Sequence, residues 1–127
     1  MNSLIIPALA LDSNIQRIYT VFSWVSMGHI VYKGVVFEWD DDKKASNPGK
    51  HSGVTFEEAW EVFFDPGLRF EDASRGEQNR DAVIGYGDKN RILYVVNVEL
   101  ADGGFRLISA RKAEPDERRR YEEGAQI

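Results

Sequence analysis

Cysteine is absent from this chain of 127 residues. Disulfides and thiolate zinc sites are therefore excluded, and a reducing compartment, the cytoplasm, is the natural expectation. Histidine occurs only twice, at His29 and His51. That is too little for a histidine-based metal centre, and a Ser-His-Asp arrangement would have to rest on one of the two. No continuous apolar run reaches the ~20 residues of a membrane-spanning helix, even within the apolar, aromatic "IYTVFSWVSMGHIVY" at 18–32. A secretion signal also fits badly, because no lysine or arginine precedes Arg17. Glycine-rich phosphate loops, zinc patterns and dinucleotide fingerprints are missing as well. Neither a metal nor a cofactor is expected.

A surplus of positive charge is lacking too. The chain has 16 Lys and Arg against 21 Asp and Glu, a net charge of −5. As an average this argues against a nucleic-acid binder. The distribution is uneven, however. Acids gather at Asp40–Asp42, Glu57–Glu61 and Glu122–Glu123, while Arg106, Arg111, Lys112 and Arg118–Arg120 form the densest basic group. Local charge, not net charge, decides what a groove attracts.

What is present suits one compact domain, since 43% of residues are apolar and 12% aromatic. Residues 1–36 differ in character and read as an N-terminal extension, an extra or loosely held strand at most. From 37 to 127 the signals sharpen. In "VVFEWD" (35–40), Val35, Phe37 and Trp39 alternate with Val36, Glu38 and Asp40, the period of a strand. Asp40–Lys44 reads as a helix start with acids in its first turn, and Pro48-Gly49 should interrupt or end that helix. "TFEE" (55–58) reads as a capping box, with Thr55 as N-cap and Glu58 three residues on. It opens a helix to about Phe64 that buries Phe56, Ala59, Trp60 and Phe63. Asp65-Pro66-Gly67 stops it.

A polar connection follows, with a short strand near Leu68–Phe70. Three strand-like runs come next at 80–87, 91–100 and 105–112, joined by Asp88-Lys89-Asn90 and Ala101–Gly104. Joins this short make the sheet antiparallel. A last helix starts at Pro115 and ends at Gly124. The predicted order is β-α-α-β-β-β-α, an α+β domain with helices packed on one antiparallel sheet.

The charged residues of chemical interest are Lys43, Lys50, His51, Glu77, Arg80, Arg106, Arg111 and Lys112. Cleaving a phosphodiester without a metal needs such a set. A base takes the proton of the ribose 2′-hydroxyl, cations steady the phosphate, and an acid protonates the leaving oxygen. Arginine suits the phosphate because its planar fork meets two oxygens at once.

The order of motifs adds more than the spacing. "FEWDDDKKASNPGKH", "GVTFEEAWEVFFDP", "EQNR" and "LISARKAEPDERRRYEE" resemble, in that order, the BrnT family of bacterial toxins, over Phe37 to about Glu123. The resemblance implies a RelE-like fold and a ribonuclease that shuts down translation. It also implies a BrnA-like ribbon-helix-helix antitoxin as partner, with operator DNA contacted only through that complex. Carried over by position, the family's Lys-x-x-x-Asn-x-x-Lys-His pattern falls on Lys43, Asn47, Lys50 and His51. Its Glu-x-x-Arg pattern falls on Glu77 and Arg80, and Ser-Ala-Arg-Lys-Ala on Ser109 to Ala113. Glu117, Arg118, Tyr121 and Glu122 match the closing helix. The implied catalytic set is His51, Glu77, Arg80 and Arg111. RNA would be bound by Lys43, Lys50, Arg106, Lys112 and Tyr121.

Three features depart from the family pattern: residues 1–36 have no counterpart, Pro48-Gly49 sits where the helix should continue, and Ser52 stands between His51 and Gly53. Structural readings compete with several of these assignments. Arg111 can serve a structural ion pair, and Glu77 and Arg80 can pair with each other. Strict strand alternation puts Arg106 and Arg111 on opposite faces unless a bulge intervenes. Tyr121 can pack back onto the sheet. The alternative function is a catalytically inactive toxin-like module that only binds its antitoxin or nucleic acid.

Overall fold

A computed structural model describes residues 26–124; of the N-terminal extension, residues 1–25 lie outside the described residues. The chain runs β1 (Met27–Tyr32), β2 (Val35–Asp40), α1 (Asp41–Lys50), α2 (Phe56–Val62), β3 (Arg69–Asp72), β4 (Asp81–Tyr86), β5 (Ile92–Glu99), β6 (Phe105–Lys112) and α3 (Pro115–Gly124). The α+β class is as expected, and the helices fall where the sequence put them. The described residues carry two strands beyond the predicted main run, β1 within the N-terminal extension and the short β3.

One six-stranded sheet holds the order β1-β2-β6-β5-β4-β3. Four of the five strand pairings are antiparallel, but β2 and β6 run parallel over Phe37–Trp39 and Phe105–Leu107. The sheet is thus mixed rather than wholly antiparallel. Short hairpin joins dictated direction only for β4, β5 and β6, and no tight turn links β2 to β6. Gly28 fits β1 onto β2, for a Cβ there would lie 2.4 Å from the Trp39 indole nitrogen.

On one face of the sheet α1 and α2 cover Phe37, Trp39, Leu93, Val95, Leu107 and Ala110, with Val54, Phe56, Trp60 and Val62 filling the gap. The alternation of Val35, Phe37 and Trp39 is seen, with Phe37 fully buried. Asp40 caps α1, its Oδ1 accepting the amides of Asp42 (2.8 Å) and Lys43 (3.2 Å). Pro48 does not end that helix, which continues to Lys50. A proline in the final turn forfeits only one ladder bond, and the amides of His51 and Gly53 still reach the carbonyls of Asn47 and Pro48. Ser52 then takes a left-handed φ of 54° as the chain turns away.

The capping box at α2 is half realised. Thr55 Oγ1 accepts the Glu58 amide at 3.0 Å. The Glu58 carboxylate turns inward instead, taking Arg91 Nε and Nη2 at 2.7 Å each. A reciprocal half-box opens α3, where Glu117 Oε1 accepts the Glu114 amide at 2.8 Å.

Helix α3 lies on the other face, over Ile84, Ile92 and Ala113. It has little apolar surface and is moored by polar contacts. Tyr121 donates its hydroxyl to Asp65 Oδ2 (2.6 Å), and Arg120 grips Glu71 at 2.6 and 3.0 Å. Asp65 also accepts the amides of Tyr86 and Gly67. Burial works to raise the Asp65 carboxyl, but these hydrogen bonds outweigh it and hold it below the ordinary carboxylate range. Arg120, and then Arg69, do the same for Glu71.

A carboxyl with a depressed folded pKa contributes stability that is complete above its unfolded value, ~4 for Asp and Glu, and that is lost as pH falls through the folded value. Melting temperature is therefore expected to be level above that range and to drop below it. Asp65→Asn should flatten part of the acid limb in melts recorded across pH, and an unchanged profile would exclude Asp65 as a contributor.

Candidate functional site

A cleft of about 590 Å³ opens where three parts of the fold meet. Its floor is Tyr94 and Val96 of β5 with Ile108, Ser109 and Arg111 of β6. One wall is the inner side of α1 with its capping residue: Lys43, Ser46, Asn47, Lys50 and His51. The other is the β3–β4 connection, with Ala73, Ser74, Arg75 and Arg80.

Two local devices assemble it. The first is a β-bulge. Val96 pairs with Ser109 but the next residue, Asn97, pairs with Leu107, leaving Ile108 as the extra residue. The bulge keeps both Leu107 and Ala110 in the core while Arg106, Ser109 and Arg111 share the opposite face. The second is Asn47, which is 3% exposed. Beyond Leu107 strand β6 has no strand partner on its β2 side, and the Asn47 amide takes that place. Nδ2 donates to Ala110 O and to Val54 O, each at 2.8 Å, and Oδ1 accepts the Ala110 amide at 3.2 Å. A buried carboxamide thus fastens α1, with its lysines and histidine, to the strand that carries Arg111.

The electrostatics of the cleft run against those of the chain. Five lysines and arginines and one histidine line it, and no aspartate or glutamate does. Lys43, Lys50, Arg75 and Arg80 have no carboxylate within salt-bridge reach among the described residues. Arg80 is steadied instead by Gln78 Oε1 at 2.7 Å.

Arg111 is the exception. Its Nη1 and Nη2 hold Glu117 at 2.7 and 2.9 Å, and its guanidinium carbon stands 4.2 Å from the Tyr94 ring centroid. Glu117 first, against the cost of burial, raises the Arg111 pKa further, so it is a permanent cation. Its Nε–H and one Nη2 hydrogen have no partner among the described residues. One side chain thus combines a structural ion pair with guanidinium hydrogens left unused.

Of the nine residues singled out from sequence, Lys43, Lys50, His51, Arg80 and Arg111 converge on this cleft. The other four lie elsewhere. Glu77 is exposed at the tip of the β3–β4 turn, where Arg75 and Gln78 pair backbone to backbone, and it makes no salt bridge to Arg80. Arg106 reaches the Arg111 face through the bulge but is taken by Glu38 Oε2, 2.6 Å from its Nε. Lys112 points into a separate groove beside Arg91, Arg118 and Glu122. Tyr121 is buried and committed to Asp65.

Sequence reading did not select Tyr94, Ser74 or Arg75. Their only signal was position on a strand and a turn, which becomes meaningful once the register puts Tyr94 opposite Arg111. No group of three or more His, Asp or Glu is placed to hold a metal ion among the described residues, and no described helix is long and apolar enough to cross a membrane.

Residues 39–117 match the family model described as the ribonuclease toxin, BrnT, of type II toxin–antitoxin systems. No curated protein matches the chain.

Proposed function

The chain belongs to the BrnT family of ribonuclease toxins, and from that premise we propose that the acid-free cleft is where it cleaves RNA, without a metal ion. We assign the toxin domain to residues 37–127, with a RelE-like fold, and 1–36 to an N-terminal extension. The observation that supports the reading is the charge reversal. In a protein of net charge −5, this cleft gathers Lys43, Lys50, His51, Arg75, Arg80 and Arg111 and no carboxylate. Cationic side chains suit phosphate oxygens, whereas a divalent ion is held by carboxylates, and none lines this cleft.

In this reading the ribose 2′-oxygen attacks the neighbouring phosphorus and the P–O5′ bond breaks, leaving a 2′,3′-cyclic phosphate and a free 5′-hydroxyl. Charge building on the phosphate oxygens is met by Arg111 and Arg80, the site's fixed cations. Lys43, Lys50 and Arg75 hold the flanking backbone. His51 is the proton carrier of the cleft, since imidazole both accepts and releases a proton in general acid–base catalysis. Glu77 is left a peripheral role at the turn. The activity would operate in the cytoplasm, stop translation and growth, and be neutralised by a BrnA-like ribbon-helix-helix antitoxin that alone contacts operator DNA.

Inducing the chain by itself in a bacterial culture is expected to arrest growth and shorten messages, with rescue by coexpressed antitoxin. Healthy growth at confirmed expression, with RNA intact in vitro, would instead favour the inactive binding module. That reading draws on the ion pair that already occupies one end of Arg111.

A further inference from the structure

The tyrosine in the cleft is not the one the sequence pointed to. Tyr121 spends its hydroxyl on Asp65, whereas Tyr94 lines the cleft between Arg111 and Val96. Tyr94 is half-buried, and its hydroxyl has neither a hydrogen-bond partner among the described residues nor a place among the fully buried, unpartnered atoms. The hydroxyl is therefore not fully buried, in a residue that lines the cleft. Its ring carries the Arg111 guanidinium at 4.2 Å and packs against the Ile84 and Ile92 cluster beneath α3. A phenol held this firmly is a pre-oriented donor, which is what a developing oxyanion requires.

We propose that Tyr94 is a further catalytic residue of the cleavage site, donating its O–H to a non-bridging oxygen of the scissile phosphate beside Arg111. The inference rests on the ribonuclease reading of the cleft. The two side chains divide the work: Arg111 supplies charge, and Tyr94 supplies a neutral hydrogen bond from a ring held beside it. No proton is transferred, so the phenol must stay protonated throughout. Burial, followed by the charge of Glu117, pushes the Tyr94 hydroxyl above its ordinary value against the pull of Arg111 and Arg120. It is thus a donor and not a base over the whole physiological range.

Tyr94→Phe is the deciding variant, because it deletes only the hydroxyl and keeps the ring on which Arg111 lies. With a short single-stranded RNA as probe, kcat is expected to fall by about 10²-fold, the loss typical of one oxyanion donor, while KM and melting temperature stay near the parent values. Tyr86→Phe, outside the cleft, should cleave like the parent. Parent-like kcat in Tyr94→Phe, in a preparation where Arg111→Ala has lost cleavage, would overturn the proposal and leave the ribonuclease reading standing. A fall in affinity alone would also overturn it, making Tyr94 a surface for bases rather than a phosphate donor. Failure of the parent chain itself to cut RNA would remove both.

Discussion

Arg111→Ala is expected to slow RNA cleavage by about 10²–10³-fold, the range for losing one pre-organised donor to an oxyanion, and to abolish growth arrest. The side chain sits where strand β6 leaves the core, with Glu117 on one edge of its fork and the cleft on the other. Its loss also strips Glu117, a 6% exposed carboxylate, of its cation, so some stability is lost with the activity. Arg111→Lys separates the two effects. It keeps a charge for Glu117 but cannot hold the carboxylate and face the phosphate at once, because only the planar fork has two usable edges. Cleavage should stay impaired in a lysine variant whose melting temperature recovers. If lysine restores cleavage along with stability, Arg111 acts through the fold and not on the phosphate.

The second large effect is on stability alone. Glu58 is fully buried at the start of α2, and its two oxygens are taken by Arg91 at 2.7 Å each. Arg91→Ala leaves that carboxylate buried without a partner, which costs about 3–5 kcal/mol in comparable cases. For a chain of this size the melting temperature should fall by about 10–20 °C. The damage comes from the orphaned charge and not from the absence of attraction. Replacing both partners together, Glu58→Leu with Arg91→Met, should therefore recover most of the loss. A double variant as unstable as Arg91→Ala would mean that packing around Arg91 matters more than its charge.

Much of the fold was legible because local chemistry and tertiary demand agree. The alternation of Val35, Phe37 and Trp39, the acidic start of α1, the Thr55 cap and the short hairpin joins each act over a few residues, and each formed as expected. The direction of β2 against β6 was not legible, since nothing local joins them. Pro48 misled for a related reason. A proline weakens a helix by one bond, but Asn47 ties the same turn to Ala110 and Val54 and holds it in place.

The candidate site divides along the same line. Lys43, Lys50, His51, Arg80 and Arg111 were reached through motif order, and the structure brings them together. Tyr121 could not be discounted from sequence, because its hydroxyl partner Asp65 lies 56 positions away. Tyr94 could not be found, because only the strand register sets it under Arg111. Arg106 was half legible: the bulge that swings it to the right face was foreseen as a condition, but its capture by Glu38 was not.

The Asn47–Ala110 fastening spans 63 positions, and this has a consequence during synthesis. Loops of that length close late, since their entropy must be offset before the contact can form. Until β6 has left the ribosome, the lysines and His51 of α1 have no Arg111 to face, and the amide of Asn47 has no strand to complete. A chain broken off anywhere before Ile108 carries the basic wall without the β6 half of the floor. In the proposed reading, the cleft can therefore act on RNA only after β6 has been made and has paired with β5.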